Sequence, residues 1–185
     1  MLININMKLV QISEATKKLT LEPLPYARDA LEPVLSKDAV IYHYDHLTKG
    51  YVDRFNKHDG DPAFNEAGAF LHTIYWSQFA APKNNNKPHG ASLDLIESVY
   101  NDFTDFKRSV TAAAKTIQGS GWVYLAKNGT IKTIKNHKIV KDILLPIDMW
   151  EHSWVLDYQW DKEDYLKKIW QIVNWDVINH RLAGT

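Results

Sequence analysis

Four residues in two well-separated stretches have the types and spacing of a metal site. They are His43 and His72 in the first half of the chain, and Asp148 and His152 in the second. Three neutral imidazoles and one carboxylate suit iron or manganese, and they leave room for a solvent ligand. The set therefore predicts a mononuclear redox centre. Taken singly, each histidine is equally compatible with a hydrogen-bonded core position or a solvated one.

Composition and charge exclude several other kinds of site. The chain has 185 residues, 45% of them hydrophobic, which is enough to bury a compact core. Its formal net charge is zero, and no run of Lys or Arg stands out. The sequence therefore shows no basic segment of the kind that binds nucleic acid or a membrane surface. The absence of cysteine excludes disulfides, thiol catalysis and zinc–thiolate sites. Cytoplasmic is the default location that we predict.

Residues 1–21 are predicted to form an irregular N-terminal extension. The segment lacks the long apolar stretch of a secretory signal, and without arginine it makes a poor transit peptide. No window of the sequence approaches the length and hydrophobicity of a membrane span.

Two helices are predicted to carry the first two histidines. Apolar residues recur every three or four positions after a candidate N-cap at Ser36: Val40, Tyr44, Leu47, Tyr51 and Phe55. The turn-forming residues 58–62 end this helix, and a second apolar pattern over 62–79 bears His72. His43 and His72 would then face each other across an antiparallel hairpin.

The second half predicts a helix and a small sheet. The turn-rich segment 80–90 separates the halves, which gives a helical domain over 22–82 and a C-terminal domain over 83–185. A helix is predicted over 92–115. Two strands, 121–127 and 130–135, are joined by the hairpin signal Asn128-Gly129, and a third, 143–148, leads to Asp148. An amphipathic helix over 165–182 closes the chain.

Six stretches in one order resemble the iron/manganese superoxide dismutase family. They are LPYARDALEP (24–33), YHYDH with GYV (42–52), HTIYW (72–76), GSGW (119–122), DMWEH (148–152) and VNWD (173–176). The resemblance, from about residue 22 to 183, implies an α+β fold: a helical hairpin domain, then an α/β domain with an antiparallel sheet of about three strands. The metal lies between the two. It also implies one iron or manganese ion per chain and redox cycling that converts superoxide to dioxygen and hydrogen peroxide.

The resemblance also implies roles for residues around the ligands. Tyr51, two helical turns after His43, matches the family tyrosine near the substrate. His137 stands after the sheet hairpin, where a glutamine usually bonds the coordinated solvent, and the alternative helical position is Gly68. A histidine there predicts a pH-sensitive potential and favours iron. A water-excluding aromatic shell is implied as well, although such residues are also expected in any core: Tyr75, Trp76, Trp122 and Trp150.

The sequence departs from the resembled family at a gateway. Leu47 and Val155 replace a histidine and a partner-subunit tyrosine that are hydrogen-bonded in the family. Glu151 is retained, which implies a homodimer in which this carboxylate reaches the partner's His152. Lys162 stands where an arginine often steers the anion. The second histidine ligand follows the first by only 29 positions, so the hairpin is shorter than usual.

Three functions follow as alternatives. The first is an active, antioxidant superoxide dismutase. The second is a metal-binding relative of that enzyme whose redox activity is attenuated or altered by the missing gateway. The third is a structural or interaction protein that kept only the fold, which predicts eroded ligands, and all four ligands are present. A rate measurement separates the first two.

Overall fold

Two antiparallel helical arms form the N-terminal part of the structure. The computed structural model describes residues 17–184, so most of the predicted extension 1–21 lies outside the described residues. The first arm runs without interruption through α1 (Lys37–Val40), a π-helical segment (Ile41–Thr48) and α2 (Lys49–Lys57). The second arm is α3 (Pro62–Ser77). The predicted hairpin is therefore confirmed.

Local side-chain chemistry sets the ends of the arms. The Ser36 hydroxyl accepts a hydrogen bond from the Ala39 N–H, 3.1 Å away, and so caps α1. At the other end of this arm, His58 adopts a left-handed conformation with φ of 56°. The Asp61 carboxylate then caps α3 by accepting from the Phe64 N–H at 2.9 Å, with Pro62 at the first helical position. Only residues 58–61 connect the arms, which forces them to run antiparallel.

The C-terminal part begins and ends with helices. Its helices are α4 (Ala91–Glu97), α5 (Phe103–Lys115), α6 (Val155–Tyr158), α7 (Lys162–Lys168) and α8 (Trp175–Ala183), with short 3-10 turns at Glu151–Ser153 and Ile169–Gln171. The predictions of continuous helices over 92–115 and 165–182 are wrong. The Asp102 carboxylate starts a new helix by accepting from the Asp105 N–H, and the Asn174 side chain does the same for α8.

Three antiparallel strands form the sheet, as predicted, and the structure gives their order as β2-β1-β3. They are β1 (Gly121–Ala126), β2 (Ile131–Lys135) and β3 (Ile143–Asp148). Gly129, with φ of 83°, makes the turn between β1 and β2. The central strand pairs Trp122 with Ile134 on one side and with Asp148 on the other. This register brings an aromatic residue beside the predicted carboxylate ligand.

One hydrophobic core joins the two parts. Leu71 and Tyr75 of α3 pack in the same buried cluster as Trp122 and Ile147 of the sheet. Because α3 lies against β3, the second predicted histidine ligand comes close to the end of the strand that carries Asp148. Within residues 17–184 we find no helix with the length and hydrophobicity needed to cross a membrane.

Candidate metal centre

The four predicted ligands converge on one point between the helical arms and the sheet. Each of His43, His72, Asp148 and His152 offers one ligand atom, and all four atoms lie within 4.8 Å of one another. The Nε2 atoms of the histidines are 3.3, 3.5 and 3.2 Å, in that order, from Oδ2 of Asp148. The first three residues are buried, whereas the His152 side chain is 12% exposed.

Two imidazole nitrogens in this cluster have no hydrogen-bond partner among residues 17–184. The Nε2 atoms of His43 and His72 are buried and unpaired. Leaving buried polar atoms unpaired is unfavourable unless a ligand uses them. Burial lowers the pKa of His43 to about 4 and holds the pKa of His72 well below its ordinary value, so both imidazoles are neutral. Their free lone pairs, beside a carboxylate oxygen, fit iron or manganese.

The hydrogen bond on the far side of the His72 ring fixes its tautomer. Its Nδ1 lies 2.7 Å from the carbonyl oxygen of Gly68, which only accepts, so Nδ1 carries the hydrogen and donates it. Nε2 is therefore the lone-pair nitrogen that faces the cluster. Gly68 has a second role, because a Cβ added there would lie 2.7 Å from Cδ1 of Tyr51.

Asp148 is held so that one carboxylate oxygen remains for the cluster. Its Oδ1 accepts from the Trp150 N–H at 2.8 Å, and its backbone oxygen accepts from the hydroxyls of Ser153 at 2.9 Å and Tyr165 at 3.2 Å. Burial by itself would raise the pKa of Asp148. The nearby imidazoles of His152 and His43 outweigh the effect of burial and hold that pKa well below its ordinary value, so the group is an anion.

His43 lies in the π-helical segment, which the sequence predicted as ordinary helix. The Thr48 hydroxyl donates to the backbone oxygen of His43, five residues earlier, at 2.9 Å. The same oxygen atom of Thr48 accepts from the Trp76 indole N–H at 3.0 Å. These bonds tie the backbone of the first ligand to the second helical arm.

A hydrogen bond joins His137 and Tyr51 directly. The Trp122 indole, which can only donate, gives a hydrogen bond to Nδ1 of His137 at 3.2 Å. Nε2 of His137 therefore carries the hydrogen and donates it to the Tyr51 hydroxyl oxygen at 2.9 Å. The His137 ring also stacks on Trp150, with centroids 4.5 Å apart.

Burial keeps both members of this pair neutral. It lowers the pKa of His137 to about 4 and raises the pKa of Tyr51 to about 12. Both groups are therefore neutral near neutral pH, and the pH sensitivity that a histidine at position 137 would give the reduction potential stays a prediction.

The predicted aromatic shell surrounds the ligands. Its rings lie at these centroid distances: Tyr75 5.5 Å and Trp76 4.8 Å from His43, Trp122 5.1 Å from His72, and Trp150 5.6 Å from His152. Phe64 was not predicted, yet its ring lies 4.8 Å from that of His137. The sequence pattern that could have identified Phe64 is its four-residue spacing from Gly68 and His72, which places all three on one helix face.

Three further residues named from the sequence line one cavity at the surface. Glu151, Val155 and Lys162 line a cavity of about 670 Å³, which also includes Trp160. Lys162 is half-buried, and Leu47, on the first helical arm, is half-buried too.

Comparisons with known proteins agree with this geometry. Residues 18–61 match the iron/manganese superoxide dismutase alpha-hairpin domain, and residues 88–181 match the C-terminal domain of the same family. A superoxide dismutase [Fe] of Pyrobaculum aerophilum is 34% identical over 90% of this chain and 93% of its own length. A superoxide dismutase [Fe] of Bacteroides fragilis is 34% identical over 86% and 96%, and a superoxide dismutase [Mn/Fe] of Aeropyrum pernix is 33% identical over 90% and 91%.

Proposed function

Because the chain belongs to the iron/manganese superoxide dismutase family, we propose that it converts superoxide to dioxygen and hydrogen peroxide with one metal ion held by its three-histidine, one-carboxylate cluster. The observation that carries this proposal is the pair of buried, unpaired Nε2 atoms of His43 and His72 beside Oδ2 of Asp148. Iron or manganese would supply the alternating one-electron oxidation and reduction that dismutation requires.

Tyr51 and His137 are suited to supplying protons. Reduction of superoxide to hydrogen peroxide consumes two protons for each electron, so the site needs a donor. Since His137 donates to the Tyr51 oxygen, the hydroxyl hydrogen of Tyr51 stays free to be donated onward. The aromatic shell excludes water and holds the ligand rings in place.

Among the two metals we propose iron. The support is that relatives of this chain are named [Fe] or [Mn/Fe], together with the histidine at position 137. Lys162, which lines the surface cavity, is proposed to attract the anion.

We also propose a homodimer, formed through Glu151 and His152. Its support is the exposure of apolar side chains that follow these residues: Val155 is 39%, Leu156 53% and Trp160 82% exposed. The division into domains over 22–82 and 83–185, and the cytoplasmic location, stay predictions.

A second candidate, an attenuated or altered redox activity, is favoured by one observation. Leu47 and Val155 offer no polar group at the gateway, so proton delivery depends more heavily on Tyr51.

The decay of superoxide per bound ion tests the proposal and separates these candidates. Iron-loaded and manganese-loaded protein would be compared with zinc-loaded protein, which keeps the charge but lacks redox chemistry. An active dismutase accelerates decay with iron or manganese and not with zinc. A slow rate with both iron and manganese would reject the active enzyme and favour the attenuated one. A rate equal to that of zinc-loaded protein would also reject the active enzyme.

A further inference from the structure

A cavity outside the metal centre is lined by three cationic side chains and, among the residues that the structure describes, by no carboxylate. Its volume is about 310 Å³, and its charged residues are Lys127, Lys141 and Arg181. Its apolar wall includes Ile74 of α3 and Ile143 of β3.

Arg181 is a largely buried charge that has no counter-ion within the described part of the chain. The amino groups of its guanidinium donate only to neutral oxygens: those of Leu144 at 2.9 Å, Ile74 at 2.7 Å, Ser77 at 2.8 Å and Gln78 at 3.3 Å. Among residues 17–184, its Nε–H has no acceptor. Burial lowers the pKa of Arg181 to about 10, whereas Asp45 raises the pKa of Arg28. A buried cation without an anionic partner is unfavourable, so an anion at this place stabilises the structure.

The two lysines of the cavity also lack anionic partners. Neither Lys127 nor Lys141 forms an ion pair within the part of the chain that the structure describes, and both are exposed. The nearest carboxylate in sequence, Asp142, is engaged elsewhere: it pairs with Lys132 at 2.6 Å and accepts from the Tyr124 hydroxyl at 3.1 Å. The cavity therefore concentrates positive charge that no group of residues 17–184 neutralises.

We propose that this cavity binds a small oxyanion of the phosphate type. The two lysines supply mobile donors, and Arg181 supplies a fixed charge and its remaining N–H. Arg181 already joins α8 to the end of α3 and to β3, the elements that carry His72 and Asp148. Binding there stabilises the packing of those elements. The site shares no residue with the metal cluster and is independent of the proposed dismutation.

Calorimetric titration of the metal-loaded full chain with inorganic phosphate, at constant ionic strength, tests the proposal. The double variant Lys127→Gln with Lys141→Gln removes two charges from the cavity. The matched control, Lys135→Gln with Lys138→Gln, removes two exposed and unpaired lysines from a different cavity. We expect saturable binding by wild type, unchanged affinity in the control, and affinity weaker by about tenfold or more in the first variant.

Thermal unfolding supplies a second measurement of the same site. Phosphate should raise the melting temperature of wild type and of the control more than that of the cavity variant, since general salt effects act on all three. Absence of saturable phosphate binding by wild type overturns the proposal. Equal affinity of wild type and the cavity variant overturns it too.

Discussion

At the scale of single residues, tautomer and burial decide what His137 contributes. Its two ring nitrogens are both committed, one to Trp122 and the other to Tyr51. A neutral imidazole in this arrangement acts as a fixed hydrogen-bond donor.

The lowered pKa of His137 gives a signed prediction for the metal-free protein. Between pH values of about 6.5 and about 4, the unfolded histidine takes up a proton and the folded one does not. This contribution to stability is therefore fully present above the ordinary pKa and is lost as pH falls through that window. The slope of unfolding free energy against pH reports how many more protons the unfolded state binds than the folded state. In His137→Gln, this difference should be smaller by up to about one proton in the same pH window. Urea unfolding at several pH values measures it, and identical slopes for both proteins would contradict it.

Gly68 tests how closely Tyr51 must approach the second helical arm. A Cβ at this position would meet the Tyr51 ring at 2.7 Å, so Gly68→Ala should push the ring away from His137. We expect a loss of about 1 to 3 kcal/mol in the free energy of unfolding, together with a slower rate of dismutation.

Gly50→Ala is the matched control on the first arm. A Cβ there would contact only the end of the flexible Arg54 side chain, at 3.0 Å, and alanine favours helix. It should leave stability unchanged or raise it by up to about 1 kcal/mol. Equal effects of the two substitutions would show that the contact with Tyr51 is not what requires glycine at position 68.

The metal ligands could be predicted from the sequence because their flanking residues form specific strings around them. The hydroxyls of Ser153 and Tyr165, which fix the backbone of Asp148, could not. They bond to a main-chain oxygen, and that contact depends on how β3 packs against the following helices. No spacing in the sequence signals it.

At the scale of elements, the π-helical segment is the feature that positions the first ligand. Apolar periodicity predicted the arm over Ser36 to Lys57 but not this segment, because one wider turn changes the pattern too little. Similarly, apolar periodicity predicted continuous helices where the structure has breaks at Asp102 and Asn174. At both positions a side chain caps the start of a new helix, which competes with continuation of the preceding one.

Thr48→Val tests the bond that ties this segment to α3. The substitution removes the donor to the His43 oxygen and leaves the buried Trp76 N–H unpaired. We expect a loss of about 1 to 3 kcal/mol in unfolding free energy and weaker metal retention. In the control Thr73→Val, the lost bond goes to the Ala69 oxygen within ordinary helix, so stability should change by less. Equal metal content in wild type and Thr48→Val would show that these bonds of the π-helical segment are not needed to hold the metal.

At the scale of the whole molecule, the proposed dimer depends on the surface beside the metal centre. Val155 is 39% exposed on that surface, and Ile139, on the connection between β2 and β3, is 41% exposed. Val155→Asp should shift the protein from dimer to monomer in sedimentation, because it places a charge in an apolar contact. Ile139→Asp, at matched exposure, should leave the dimer intact. A wild-type monomer at micromolar concentration would reject the proposed interface.

The two helical arms and the sheet together bring three imidazoles and one carboxylate to one buried point. The most direct test is elemental analysis of wild type, His72→Ala and the control His89→Ala, all produced with iron and manganese available. His89 is an exposed histidine paired with Asp176, outside the cluster. We predict about one iron or manganese ion per chain in wild type and in His89→Ala, and loss of that ion in His72→Ala. Undiminished metal occupancy in His72→Ala, or zinc as the only ion retained by wild type, would contradict the claim that this cluster holds iron or manganese.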